Sequence, residues 1–385
     1  MKNFCLKTDI YFGKDSLKKL EEIQEKKVLI ICDKFMETSG MVNLLKERLN
    51  KCEVEVFSEI IPDPSVEIVA LGVKKLKGFS GDIIIGFGGG SSIDGAKAIR
   101  EYYQKLENNK EMLFYAIPTT SGTGSEVTEY AVITNKEEGL KYALTNKNLL
   151  PDVAILDGDL VKSVPPHITA DTGLDVITHA IEAYVSTNGN DFTDALAEKS
   201  FSLVFSNLKK VYLDGSNLQL REKIHNSSCM AGMAFNCAGL GITHSLAHGL
   251  GGKLHIPHGK ANGIILPYVM KFNSEIGNSY SRENFTETAK KYQRLAKLVD
   301  LNASTPIIGV NNLIKSICQL KKELSIPETL LDLGIDLVEF EKVKESIIES
   351  ALKDVCTKTN PRKVTREELE KLLDEISGKQ LFKTL

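Results

Sequence analysis

The sequence predicts an α/β domain built on a parallel sheet, residues 1–165, followed by an all-helical domain, residues 166–385. Three observations lead there. Up to about residue 160, short β-rich runs alternate with segments of helical apolar spacing. The double proline of SVPPH, Pro165 and Pro166, marks a change of character, and strand signals are scarce beyond it. A chain of 385 residues also exceeds what one hydrophobic core normally supports, so two domains are expected.

In order, strands are predicted at residues 28–32 (VLIIC), 53–57 (EVEVF), 82–86 (DIIIG) and 113–117 (LFYAI), with helices near 38–50, 65–78 and 91–105 between them. Continuous apolar strands separated by helices imply a sheet covered on both faces, with ligand sites at the carboxyl ends of its strands. After Tyr130, YAVIT and LKYALT read as a β-hairpin around NKEEG, followed by a short strand at 153–156. Helices are then expected at 172–186, 191–208, 220–238, 243–249, 282–299, 306–323 and 339–354. A last one begins near Thr365, where Thr365 and Glu368 form a capping box.

A formal net charge of -3 offers no global attraction for nucleic acid or for an anionic membrane. The start, MKNFCLKTDIYFG, has no signal-peptide core, and no apolar run reaches membrane-spanning length, so a cytoplasmic protein is expected. The seven cysteines are scattered and never spaced CxxC, which argues for reduced thiols and against a thiolate zinc site.

Three features fall at predicted strand ends. Asp33 follows VLIIC, where a carboxylate can accept from a ribose and repel a 2'-phosphate, favouring NAD over NADP; an N-cap aspartate is the structural alternative. GFGGGSSIDGAKAI runs from a strand through three glycines into a helix, where exposed N–H groups suit a pyrophosphate. PTTSGTGSE offers Thr119, Thr120, Ser121 and Thr123 as hydroxyl donors. Two Gly/Ser/Thr loops at two strand ends point together to a dinucleotide.

Of seven histidines, four (His244, His248, His255 and His258) fall in HSLAHGLGGKLHIPH. Such clustering suggests a metal or proton-transfer site. GLDVITHAIEAY places Asp175 and His179 four residues apart, on one face of an otherwise apolar helix. A buried carboxylate needs a partner, and a cation is a suitable one. One carboxylate with several imidazoles suits Fe(II), Zn(II), Mn(II), Co(II) or Ni(II), and not every histidine need bind the ion; one can relay a proton.

GGGSSID, PTTSGTGSEVT, GLDVITHAIEAY, and HSLAH followed by IPHGKANGIILPYV resemble, in this order, the iron-containing (group III) alcohol dehydrogenases. DFTDALAEK, HNSSCMAGMAF and DVCTKTNPR further resemble the propanol dehydrogenases of propanediol-utilisation microcompartments, with fermentative butanol and 1,3-propanediol enzymes as near relatives. The resemblance implies a Rossmann-like domain joined to a helical metal-binding domain, as in dehydroquinate synthase, and an oxidoreductase interconverting short-chain primary alcohols and aldehydes. It implies Asp175, His179, His244 and His258 as metal ligands and His248 as the catalytic, proton-relay residue. It places cofactor contacts on Asp33, Gly89, Gly90, Ser91, Thr119, Thr120, Thr123 and Lys141, and gives His255 no ligand role. NAD is expected ahead of NADP and Fe2+ ahead of Zn2+. The expected partners are a small aldehyde or alcohol, a second copy in a homodimer or higher oligomer, and microcompartment enzymes. The competing reading is a dehydroquinate-synthase-type lyase using NAD and a metal. That reaction needs extra cations for its substrate, and the metal segments supply only Lys253 and Lys260.

Overall fold

The computed structural model describes residues 4–108, 111–135, 140–276 and 285–379. The chain divides into two compact units, one of residues 1–164 and 215–236, the other of residues 165–214 and 237–385.

The first unit carries a sheet of six strands: β1 (Asp9–Phe12), β2 (Lys27–Asp33), β3 (Glu53–Ile60), β4 (Ile83–Gly88), β5 (Leu113–Pro118) and β8 (Val153–Leu156), in the order β1-β8-β5-β4-β2-β3. Every pair is parallel. Between β5 and β8, β6 (Tyr130–Asn135) and β7 (Leu140–Thr145) form a separate antiparallel hairpin. Residues 136–139, in the NKEEG turn, lie outside the described residues. β1 was not expected from sequence: DIYF is four residues long and sits at an edge, paired to β8 alone.

α1 (Lys34–Thr38) and α2 (Met41–Arg48) connect β2 to β3, α3 (Val66–Phe79) connects β3 to β4, and α4 (Gly90–Leu106) connects β4 to β5. Alternation along each strand feeds two cores. Val28, Ile30, Cys32, Ile83, Ile85 and Phe87 pack with Val42 and Leu45 of α2. Leu29, Ile31, Ile84 and Phe114 pack with Val69 and Val73 of α3 and Ile93 and Ile99 of α4. Each fully buried side chain of this size contributes roughly 1.5–3 kcal/mol. Because α1 and α2 cover one face and α4 the other, the connections leaving β2 and β4 diverge. Their carboxyl ends therefore form the topological switch point at which doubly wound sheets bind ligands.

The second unit is helical: α5 (Pro166–Val185), α6 (Asp191–Leu213), α8 (Ile242–Leu254), α9 (His258–Ser274), α10 (Glu287–Leu298), α11 (Pro306–Glu323), α12 (Leu337–Lys353) and α13 (Arg366–Ser377). The intervening helix, α7 (Leu218–Ala238), lies mostly in the first unit, so a single division at 165 misplaces residues 215–236. Long-range bonds cause this. Arg221 donates to the carbonyls of Lys162 and Val164, His225 pairs with Ser121, and Asn236 accepts from the Glu129 N–H.

Several helix bounds need correction: the helix near 38–50 is two, α1 and α2; α6 runs on to Leu213 and α8 to Leu254; and residues 282–284, where the 282–299 helix was expected to start, lie outside the described residues. α5 begins at Pro166, earlier than residue 172, because proline fits the first turn of a helix, where its missing N–H has no partner to lose. α9 was not expected at all, since Pro257, Gly259, Gly263 and Pro267 read as breakers. The helix persists because Pro257 precedes its first turn and its face packs against α5 and α8. Near Pro267 the buried Lys321 ammonium donates to the Ile264 carbonyl. No helix among the described residues is long and apolar enough to cross a membrane.

Candidate metal centre and dinucleotide loops

α5 supplies the first half of the candidate metal centre. Its helical spacing places Asp175, His179 and Glu182 along one buried face. α8 brings His244 and His248, and α9 opens with His258 and carries Asn262 one turn on. Gly259 permits this approach: a Cβ there would lie 2.2 Å from the Asp171 carbonyl oxygen, so only glycine lets the start of α9 reach α5.

The four predicted ligands converge. Asp175 Oδ1 lies 3.9 Å from His179 Nε2, 3.7 Å from His244 Nε2 and 3.6 Å from His258 Nε2. One donor atom from each residue falls within 4.8 Å of all the others. A tetrahedral ion with ligands at about 2.1 Å has ligand–ligand edges of about 3.4 Å, close to these separations. The Asn262 amide nitrogen sits 2.7 Å from Asp175 Oδ1, 3.1 Å from His244 Nε2 and 3.2 Å from His258 Nε2. One amide therefore serves three acceptor atoms, while its own buried oxygen finds no partner among the described residues. Acceptors crowded about a point fit a cation, and these residues fit a divalent metal.

Glu182, which the sequence reading missed, orients the cluster. Its carboxylate accepts from the Gly241 N–H at 2.9 Å, the Thr243 N–H at 2.7 Å and His244 Nδ1 at 2.6 Å. With Nδ1 bonded to Glu182, His244 turns its Nε2 toward Asp175, and loss of the Nε2 proton leaves there the lone pair a metal requires. Burial works to lower the His244 pKa, but Asp175 and Glu182 overcome it and raise it to about 9. Burial works to raise Asp175, yet His179, His258 and His244 hold its carboxyl well below the usual range.

His248 stands beside the four predicted ligands. Its ring stacks on His258, centroids 5.4 Å apart and 13° between planes, and meets His244 edge-on at 6.2 Å. Its Nδ1 lies 2.8 Å from Asp354 Oδ2. His255 is exposed in the left-handed region (φ 55°) and closes the end of α8. The Lys260 ammonium faces Asp171 at 3.6 Å, so one of the only two cations the metal segments offer the lyase reading is already paired.

In the first unit, Asp33 ends β2 and its Oδ1 accepts from the Met36 N–H, so it caps α1 while its other oxygen borders Gly88. Gly88 takes a φ of +142°, which turns the strand sharply into α4. Gly89 is the N-cap of α4, and Gly90 and Ser91 begin it, where helix N–H groups lack backbone acceptors. The second loop docks on the first. The Thr119 N–H donates to the Gly88 carbonyl at 2.9 Å, and Thr120 and Thr123 lie against Gly89 and Gly90. Buried charges fasten the pair from below. Asp94 accepts from Ser125 and from the Val132 N–H, and Lys97 donates to Thr128 and to the Tyr130 carbonyl. Lys141 pairs with Thr134 on β7, and its side chain lies outside what the structure describes.

The sequence pattern of the iron-containing alcohol dehydrogenases matches residues 7–158, and that of the Fe-containing alcohol dehydrogenase family, C-terminal, matches residues 169–377. The chain belongs to the iron-containing alcohol dehydrogenase family, as an enzyme interconverting alcohols and aldehydes. It is 43% identical over 379 residues to the 1-propanol dehydrogenase of Citrobacter freundii, covering 98% of this chain and 100% of the relative. It is 40% identical over 391 residues to the NADPH-dependent butanol dehydrogenase of Clostridium saccharobutylicum, covering 97% of each. The structure of sulfoacetaldehyde reductase from Bifidobacterium kashiwanohense in complex with NAD+ matches with a TM-score of 0.85 at 26% identity, covering 98% of this chain and 99% of that one.

Proposed function

We propose that this chain reduces short aldehydes of two to four carbons, propanal foremost, to primary alcohols in fermentation: RCHO + NADH + H+ gives RCH2OH + NAD+. The observation that carries the reading is the convergence of one carboxylate and three imidazole Nε2 atoms on a point. When bound, a divalent metal supplies a Lewis acid for the aldehyde oxygen and NADH supplies the hydride. Asp175, His179, His244 and His258 hold the metal, Fe2+ ahead of Zn2+, with Glu182 fixing the tautomer of His244. Three neutral imidazoles and one carboxylate would leave a bound divalent ion a net charge of +1, suited to negative charge on an oxygen. His248, half-exposed beside the ligand rings, returns the proton to that oxygen directly or through water.

On the first unit, the start of α4 at Gly89, Gly90 and Ser91 takes the pyrophosphate. Thr119, Thr120, Thr123 and Lys141 complete the cofactor contacts. Asp33 accepts from ribose hydroxyls and disfavours a 2'-phosphate, so NAD is preferred here although the Clostridium relative is NADPH-dependent. The same reading takes the chain as a cytoplasmic homodimer, and likeness to the 1-propanol dehydrogenase extends it to work beside microcompartment enzymes. The test is anaerobic reconstitution with Fe2+ followed by an aldehyde panel with NADH and NADPH. Propanal-dependent oxidation, faster with NADH, is expected; cofactor oxidation that no aldehyde accelerates would overturn the reading.

A further inference from the structure

We propose that Asp354 is a positioning residue that holds the His248 imidazole in one orientation and one tautomer, with the proton on Nδ1 and Nε2 left as the working nitrogen. The proposal rests on the reading of His248 as the proton-transfer group. Its evidence is geometric. Asp354 is the C-cap of α12, where the chain leaves the helix, and its Oδ1 accepts from the Cys356 N–H at 2.8 Å. That bond fixes the carboxylate and aims Oδ2 at His248 Nδ1, 2.8 Å away. Burial acts to raise the Asp354 carboxyl, but the bonds from His248 and the Cys356 N–H bring it down to about 2. An ionised carboxylate only accepts, so Nδ1 must carry the hydrogen.

The ring is held by its neighbours: the His258 face sets its plane, the His244 ring meets it edge-on, and Asp354 sets its rotation within that plane. The hydrogen bond to Asp354 uses Nδ1 and leaves Nε2 free of it. A carboxylate behind an imidazole serves in this way wherever a histidine must present a chosen nitrogen to a reacting group.

His248, Asp354 and Cys356 also offer three donor atoms close together. A second metal site is disfavoured, because the His248 and Asp354 atoms stand at hydrogen-bond distance, 2.8 Å, shorter than the edge of about 3.4 Å that a shared ion imposes. Burial also pushes the Cys356 thiol well up, away from the thiolate a metal needs.

The test is Asp354→Asn in the zinc-loaded enzyme. An amide can donate to Nδ1 and so favour the opposite tautomer. The expected result is a kcat lower by about 10–100-fold, with bound metal and the KM for NADH within about twofold of wild type. Asp354→Asn added to His248→Ala should lower kcat no further. Unchanged kcat in the single variant, or losses that multiply in the double, would overturn the proposal. Nitrogen NMR of 15N-histidine-labelled zinc enzyme at pH 9, with His248 assigned from His248→Ala, reads the tautomer even if Asp354→Asn folds poorly. Protonated Nδ1 with bare Nε2 is expected, and the reverse contradicts the proposal. If the wild type binds NADH and zinc but turns over no aldehyde, the functional reading fails while the tautomer measurement still stands.

Discussion

Glu182→Gln changes one atom type behind His244, a proposed metal ligand, and gives a graded prediction. The carboxylate now meets three N–H groups: those of Gly241 and Thr243, and His244 Nδ1. Gln offers one acceptor oxygen in place of two, so at least one of these donors faces an amide NH2. A hydrogen bond to a charged group is worth about 1.5–3 kcal/mol, and loss of a carboxylate behind a ligating histidine costs about 10–100-fold in metal affinity. A second effect opposes it. With a pKa of about 9, metal-free His244 holds a proton at pH 7 that the ion must displace. Displacing it costs about 2.7 kcal/mol over two pH units. Glu182 is one source of that raised pKa, so the variant relieves the competition at pH 7 and hardly alters it at pH 9. Zinc binding, measured by competition with a chromophoric chelator, should therefore be about 10–100-fold weaker in the variant at pH 9, with the gap closing toward pH 7. Equal affinities at pH 9 would refute the reasoning.

The remaining expectations divide the histidines and test a buried one. His244→Ala and His258→Ala should lose stoichiometric metal, whereas His248→Ala should keep it and lose rate; elemental analysis showing the same metal loss in all three contradicts that division. His225 is buried, and desolvation lowers its pKa to about 4. Its unfolded value is about 6.5, so between those pH values the unfolded chain binds the extra proton. His225 therefore contributes stability that is intact above pH 6.5 and lost as pH falls through 4, roughly 3 kcal/mol in all. Urea melts of wild type and His225→Asn across this range should show a flatter pH dependence in the variant, and parallel curves would count against it.

Much of this was legible in the sequence because its signals are local. VLIIC and DIIIG announce strands by composition alone, and the glycines after DIIIG announce the turn into α4. Asp175 and His179 could be paired by helical period, and the same period reaches Glu182, three residues beyond His179, so that carboxylate could have been found. Asn262 lies four residues after His258 and was hidden only because proline and glycine disguised α9. Asp354 had no such signal: it is 106 residues from His248, and only tertiary packing brings them together. The same applies to α7, which joins the first unit through bonds from Arg221, His225 and Asn236 that no periodicity encodes. Asp33 shows that two readings of a residue can coexist, since one oxygen caps α1 and the other borders the glycine turn.

The central claim is that hydride passes from NADH to an aldehyde carbon. Single-turnover reaction of the metal-loaded enzyme with propanal and NADH deuterated at the nicotinamide C4 tests it most directly, with mass spectrometry of the product. One deuterium on C1 of 1-propanol is expected, and consumption of the cofactor without label in the alcohol would contradict hydride transfer to the aldehyde.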